Sequence, residues 1–283
     1  AAVELNVAAV GVLVDLVRNL ERASEFAERV NEAGVWSRLA KAQLGEDLIA
    51  AAVASFIKAG DATCYGEVIA AAEREDSYET LVPFLAMARK HVKEAPLATT
   101  LIYAYAKSNM LGDLEEFIAA PNVASIQAIG ERCFDEGLFS AAKLLFASIN
   151  NNAKLALCYV NLEMYREAVD AAHKANSVST WKEVNRVCVQ VGEFRLARVA
   201  GLQIIVHPDH LEELTLLYER AGQPMELIQL MEQGLGLDAA HSGIFTELGV
   251  LYSKYVPAKL MEHIKIFWSR MNTPKLMRAC EKA

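Results

Sequence analysis

Two histidines three residues apart with an aspartate between them, in His207-Pro208-Asp209-His210, are the side chains best suited to ligate a metal. Imidazole nitrogen and carboxylate oxygen are donors that zinc accepts. The spacing suits a turn more than one face of a helix, however, and the sequence fixes no third ligand. Asp209 reads instead as the cap of a helix opening at Leu211. Gly234-Leu235-Gly236-Leu237-Asp238-Ala239 carries the glycines of a dinucleotide-binding turn, but that turn follows a strand, and Leu227, Leu230 and Met231 ahead of it have helical spacing. These glycines read as the end of a helix. There is no G-x-x-x-x-G-K-[ST], no G-x-S-x-G and no H-E-x-x-H. The five cysteines, Cys64, Cys133, Cys158, Cys188 and Cys280, form no C-x-x-C pair, and neighbours such as Val187 and Val189 mark them as buried thiols in a reducing compartment. No catalytic residue, metal site or cofactor is expected.

Two basic clusters remain: Arg89, Lys90, His91 and Lys93, and His173, Lys174 and Lys182 around Trp181. They stand out because 28 Lys and Arg face 36 Asp and Glu, a formal charge of −8. Two readings stay open. Cations near helix C-termini offset the helix dipole, and a tryptophan on such a helix is usually core. Alternatively, the clusters line a groove for an acidic partner helix. The negative balance argues against broad nucleic-acid binding, which takes a basic face.

The elements that must position these residues follow from a repeat. An apolar residue with Ala three positions later recurs at Leu20/Ala23, Leu48/Ala51, Phe139/Ala142, Tyr165/Ala168, Phe194/Ala197 and Tyr255/Ala258. Tyr78/Leu81, Leu114/Phe117 and Pro224/Leu227 do the same with larger partners, and the steps run from 25 to 36 residues. That is the period of a helix–turn–helix unit. The flanks have helical spacing, as in Ile49, Ala52, Val53 and Phe56, with no two-residue alternation long enough for a strand. Turns at Gly45, Gly137 and Gly192 offer the left-handed conformation that ends helices. A two-helix hairpin cannot enclose its own apolar face, so hairpins must stack and share a core. The fold class is therefore all-α: an α-solenoid of stacked hairpins, expected to run as one continuous segment over residues 1–283. Nine such hairpins at about 9–10 Å per helix layer make a rod of about 80–90 Å.

Apolar residues make up 53% of the chain, enough for a large core, yet the most apolar run, Val7 to Val17, is too short to span a bilayer. The chain begins without Met or a basic leader, and Thr273-Pro274 opens a last helix as cap and first helical residue, so the sequence reads as a piece of something longer.

Particular residues add a likeness to this frame. Glu25-Phe26-Ala27-Glu28-Arg29, Val35-Trp36-Ser37, Leu39-Ala40-Lys41-Ala42-Gln43-Leu44, Thr180-Trp181-Lys182-Glu183-Val184, Glu193-Phe194-Arg195-Leu196-Ala197, Leu251-Tyr252-Ser253-Lys254 and Phe267-Trp268-Ser269-Arg270 closely resemble the clathrin heavy chain family, in one register over essentially all 283 residues. The resemblance implies the proximal leg of a three-legged coat protein, serving vesicle-mediated transport and endocytosis at the cytosolic face of coated pits and coated vesicles. It implies clathrin light chain and neighbouring heavy chains as partners, trimer formation only in the full-length chain, and membrane contact only through adaptors. The family's basic light-chain surface carries over to Arg89, Lys90, Lys93, Lys174 and Lys182, with Trp181 as a neighbour. Pro83 and Gly137 stand where the family typically has Lys, His91 replaces another basic residue, and Pro208 and His210 alter a loop usually built of small and acidic residues. Leg packing is expected to respond to pH near His207, His210 and His241. The competing reading is a helical-repeat module binding peptide or RNA in another trafficking pathway, but the uneven step and the lack of a recurring polar code speak against it.

Overall fold

The computed structural model describes residues 2–121 and 123–281 of the chain. Among them every regular element is a helix and there is no strand. They fall into two compact units, Ala1–Ile149 and Asn150–Ala283. The first holds α1 (Ala2–Gly11), continued by a π-helical turn at Val12–Leu16, then α2 (Leu20–Val30), α3 (Ala33–Gly45), α4 (Ile49–Ala59), α5 (Tyr65–Arg74), α6 (Tyr78–Ala88), α7 (Ala95–Lys107), α8 (Leu111–Ala119), α9 (Ile126–Asp135) and α10 (Phe139–Ser148). The second holds α11 (Asn152–Asn161), α12 (Tyr165–Ala175), α13 (Val178–Val191), α14 (Phe194–Ile205), α15 (Leu211–Arg220), α16 (Pro224–Gly234), α17 (Ser242–Tyr255), α18 (Pro257–Phe267) and α19 (Thr273–Cys280). Within each unit the main helix packing is between consecutive helices or helices two apart, the pattern of stacked hairpins.

One backbone device makes most of the hairpins. Asp47, Asp76, Asn109, Gly137, Glu163, Gly192 and Gly222 each sit at positive φ, two residues before the next helix, at intervals of 26 to 33 residues. In each turn the following N–H donates to a carbonyl five residues back, as Leu48 does to Gln43 and Glu193 to Cys188. This closes the helix end with a left-handed residue and satisfies a carbonyl that would otherwise lack a partner. Gly137 and Gly192 therefore do what their type suggests. Gly45 does not: it ends α3 while Asp47, φ 55°, takes the left-handed place. The required position is set by distance from the next helix, and aspartate tolerates it. The turn into α18 differs, since Val256 is non-helical (φ −141°, ψ 63°) before Pro257, which disfavours a helical conformation in the residue ahead of it.

The apolar-then-Ala spacing locates the second helix of most hairpins. Leu20, Tyr78, Phe139, Tyr165, Phe194 and Pro224 are first helical residues, and Leu48 is the cap of α4. Ala23, Ala142, Ala168 and Ala197 are fully buried, allowing close helix approach. Two positions shift. Leu114 lies one turn inside α8, because Leu111 starts the same buried face a turn earlier; Tyr255 ends α17, because the break falls at Val256-Pro257. At the last helix the cap is Asn272, whose side chain accepts from the Lys275 N–H, so Thr273 and not Pro274 is the first helical residue. Leu276 of α19 is buried with Phe245 of α17 and Met271.

Cross-hairpin ion pairs repeat with the period of the turns. Arg74 reaches Asp47 (3.1 Å), Lys107 reaches Asp76 (3.6 Å), Lys259 reaches Glu232 (2.8 Å) and Lys275 reaches Glu247 (2.9 Å). Each pair has at least one exposed partner and contributes at most about 1 kcal/mol. Their consequence is to favour one orientation between neighbours.

Candidate partner-binding surface

The six residues singled out from sequence divide between the two units. Arg89, Lys90 and Lys93 belong to the first, on the link from α6 to α7. Arg89 caps α6, its N–H donating to the Leu85 carbonyl (3.0 Å), and its guanidinium lies 4.2 Å from the centre of the Phe117 ring on α8. That cation–π contact holds it half-buried. Lys90, His91 and Lys93 are exposed, and Lys90 and Lys93 take part in no ion pair among the described residues. Beside them Arg89, Val92, Lys93, Glu94, Leu97 and Ala98 line a groove of about 240 Å³ that also touches Pro121 and Val123. Pro83 sits inside α6 on its exposed side and leaves the helix span Tyr78–Ala88 intact.

Lys174, Trp181 and Lys182 lie in the second unit. Lys174 is exposed in the last turn of α12, which ends at Asn176 in the left-handed conformation. Trp181 on α13 is 3% exposed, with the His173 ring edge-on at 6.4 Å. It is a core side chain and offers no face to a partner, because its place on the apolar side of α13 turns it inward. Lys182 ion-pairs with Glu213 of α15. It lines a groove of about 540 Å³ between α13 and α15, where Arg186, Arg220, Glu183 and Leu216 also lie. Arg186 is itself paired with Glu183. The sequence did not point to this groove, since its walls come from charges spread over two helices about one repeat apart.

The metal candidate resolves into a turn. Pro208–His210 is one turn of 3-10 helix, with the His207 and His210 rings 6.2 Å apart. Among the described residues no group of three or more His, Cys, Asp or Glu is placed to hold a metal ion. Asp209 does not cap α15; His210 occupies that position, with no side-chain hydrogen bond. His241 is tied up at both ring nitrogens: Nδ1 accepts from the Gly243 N–H (3.1 Å) and Nε2 lies 2.8 Å from the Ile205 carbonyl. Of the three histidines expected to respond to pH, it is bound into the helix packing and presents no free nitrogen. Gly234 ends α16 as expected, at a spot where a Cβ would fall 2.4 Å from Ile205. Cys133, Cys158 and Cys188 are buried, and burial pushes the Cys133 and Cys188 thiols up to about 11. Cys64 is half-buried and Cys280 exposed.

A family model described as "Region in Clathrin and VPS" matches residues 56–196 and 202–283. The chain belongs to the clathrin repeat family. Along this clathrin repeat segment it is 52% identical over 280 residues to "Clathrin heavy chain" of Drosophila melanogaster, covering 99% of the chain and 17% of that relative. It is 55% identical over 278 residues to "Clathrin heavy chain 2" of Oryza sativa subsp. japonica, covering 98% and 16%. With "Clathrin heavy chain 2" of Homo sapiens the identity is 49% over 280 residues, covering 99% and 17%. The chain thus spans about one sixth of the length of these relatives. Among the described residues no helix is long and apolar enough to cross a membrane.

Proposed function

We propose that this chain is a structural segment of a clathrin coat, the proximal-leg portion of a heavy chain, with no catalytic activity of its own. The observation that carries the reading is the near-complete alignment of the chain, at about half identity, with proteins named clathrin heavy chain. In this role hairpins with shared cores act as a stiff strut, and many weak contacts with neighbouring legs build the lattice. The assembled protein works at the cytosolic face of coated pits and vesicles. The two units are taken to continue as one solenoid, a reading supported by a family match that runs without a break through residues 56–196. Small-angle scattering tests it: a particle about 80–90 Å long agrees, and a radius of gyration fitting a sphere of this mass refutes it.

The proposed light-chain surface comprises Arg89, Lys90 and Lys93 on one unit and Lys174 and Lys182 on the other. What supports it is the exposed basic charge of Lys90, Lys93 and Lys174, which take part in no ion pair among the described residues, on a chain of net charge −8, with a groove lined by Val92, Leu97 and Ala98 beside Lys93. Trp181 takes no direct part, and Lys182 is available only by exchanging Glu213. Lys90→Glu with Lys93→Glu, and separately Lys174→Glu, is expected to weaken light-chain binding by about tenfold or more at low salt. Equal affinity by calorimetry for both variants and the parent would remove the assignment.

A further inference from the structure

The densest cluster of titratable side chains lies away from the proposed partner surface, in the first unit. Glu136, just after α9, accepts a hydrogen bond from the Tyr103 hydroxyl of α7 (2.6 Å) and another from Arg132 Nε (3.0 Å). Lys107 Nζ stands 3.3 Å from the same carboxylate and 3.6 Å from Asp76, in the turn before α6. The Arg132 guanidinium lies 3.7 Å from the centre of the Tyr103 ring, and that ring meets Tyr78 of α6 edge-on at 5.1 Å.

These contacts join three successive hairpins, α5/α6, α7/α8 and α9/α10. In a stacked-hairpin array each repeat ordinarily touches only its neighbours, so opening at one place need not reach the next but one. Here Lys107 holds carboxylates from the hairpins on both sides of it, and Arg132 stacks on the Tyr103 ring of α7, which in turn meets Tyr78 of α6. The middle of the cluster is shielded, with Tyr103 3% exposed and the Lys107 and Glu136 side chains about two-thirds covered, while Asp76 and Arg132 at its ends are exposed. Removing the Glu136 charge would take the charged acceptor from the buried Tyr103 hydroxyl and the counter-charge from Arg132, and leave Lys107 with Asp76 alone.

We propose that this cluster is a splint that makes α5 to α10 open as a single cooperative block, with Glu136 as its positioning residue. The block does not depend on the coat reading, although the link bearing Lys90 and Lys93 lies within it. The test is native-state hydrogen exchange read by mass spectrometry on the whole chain and on Glu136→Gln. Amides of α6, to which Glu136 makes no hydrogen bond, are expected to exchange at least about fivefold faster in the variant, together with those of α7 and α9. Those of α2 to α4 and of the second unit should stay unchanged. Acceleration confined to α7, α9 and α10, or none at all, overturns the proposal. Should Glu136→Gln not fold, Tyr103→Phe, which keeps the ring contacts, is measured on the same amides: faster exchange in α6 together with α7 and α9 supports the splint, and an unchanged α6 overturns it. Raising salt on the unaltered chain gives a third arm: α6, α7 and α9 should speed up together, and an unchanged α6 counts against the splint.

Discussion

Replacing Glu163 by glycine should stabilise the second unit. Glu163 sits at φ +59°, in the turn between α11 and α12. An L-residue with a Cβ gives up about 1–2 kcal/mol there, and glutamate lacks the short polar side chain that lets Asn or Asp bond locally. Its exposed side chain has no hydrogen bond or ion pair among the described residues, so little is lost with it. Against the relief stands the greater freedom of glycine in the unfolded chain, about 0.4–1 kcal/mol. The difference leaves about 0.5–1 kcal/mol of stabilisation. The converse change supplies a control: Gly222, φ +68°, ends a turn of the same kind, and no atom lies within 4 Å of where a Cβ would stand. Gly222→Ala therefore adds backbone strain without a clash and should destabilise by about 1 kcal/mol. Both variants are compared by urea unfolding followed by circular dichroism, with hydrogen exchange in α11 and α15 locating the effect. A loss of stability in Glu163→Gly at an unchanged m-value would refute the reasoning, since the strain would then have no energetic weight.

Three further outcomes are expected. The hydrogen bond from Tyr103, with those from Arg132 and Lys107, holds Glu136 below the usual glutamate range despite partial burial. Its contribution is complete above the unfolded value of about 4.3 and is lost as pH falls through the lower folded value, so Glu136→Gln should be less stable at pH 7 and lose less between pH 5 and 3. Urea titrations at stepped pH read this. Cys280 and Cys64 should react with a thiol reagent in the native chain at pH 8, while Cys133, Cys158 and Cys188 react only on unfolding; three or more fast thiols in a peptide map would contradict their burial. His241→Ala removes the bond to Gly243 and the link to Ile205, and should cost about 1–2 kcal/mol, with faster exchange at the start of α17.

The hairpin frame was legible because Phe139, Tyr165 and Phe194, each with a buried Ala three residues on, mark the point where a second helix must meet the first closely. The pattern failed at Leu114, where the same apolar spacing recurs one turn along the helix, and at Tyr255, where a proline sets the boundary. Turn chemistry was half legible: Gly137 and Gly192 advertise a left-handed residue, whereas Asp47, Asp76 and Glu163 hide one behind an ordinary side chain. The basic residues were found by charge alone, which says nothing of pairing, so the tie between Lys182 and Glu213 and the burial of Trp181 emerged only in three dimensions. Tyr103 and Glu136 are 33 residues apart, and a step that varies by several residues conceals which side chains face each other.

The turns inside hairpins are one to three residues long, while the links between hairpins within each unit run from two to seven. Most length variation therefore falls in the links, where an extra residue leaves the dihedral that closes each hairpin untouched. Lys90, Lys93, His207, His210 and His241 all stand in those links or beside them. An insertion in one of those links would lengthen a surface loop while the packed helices beneath it keep their places.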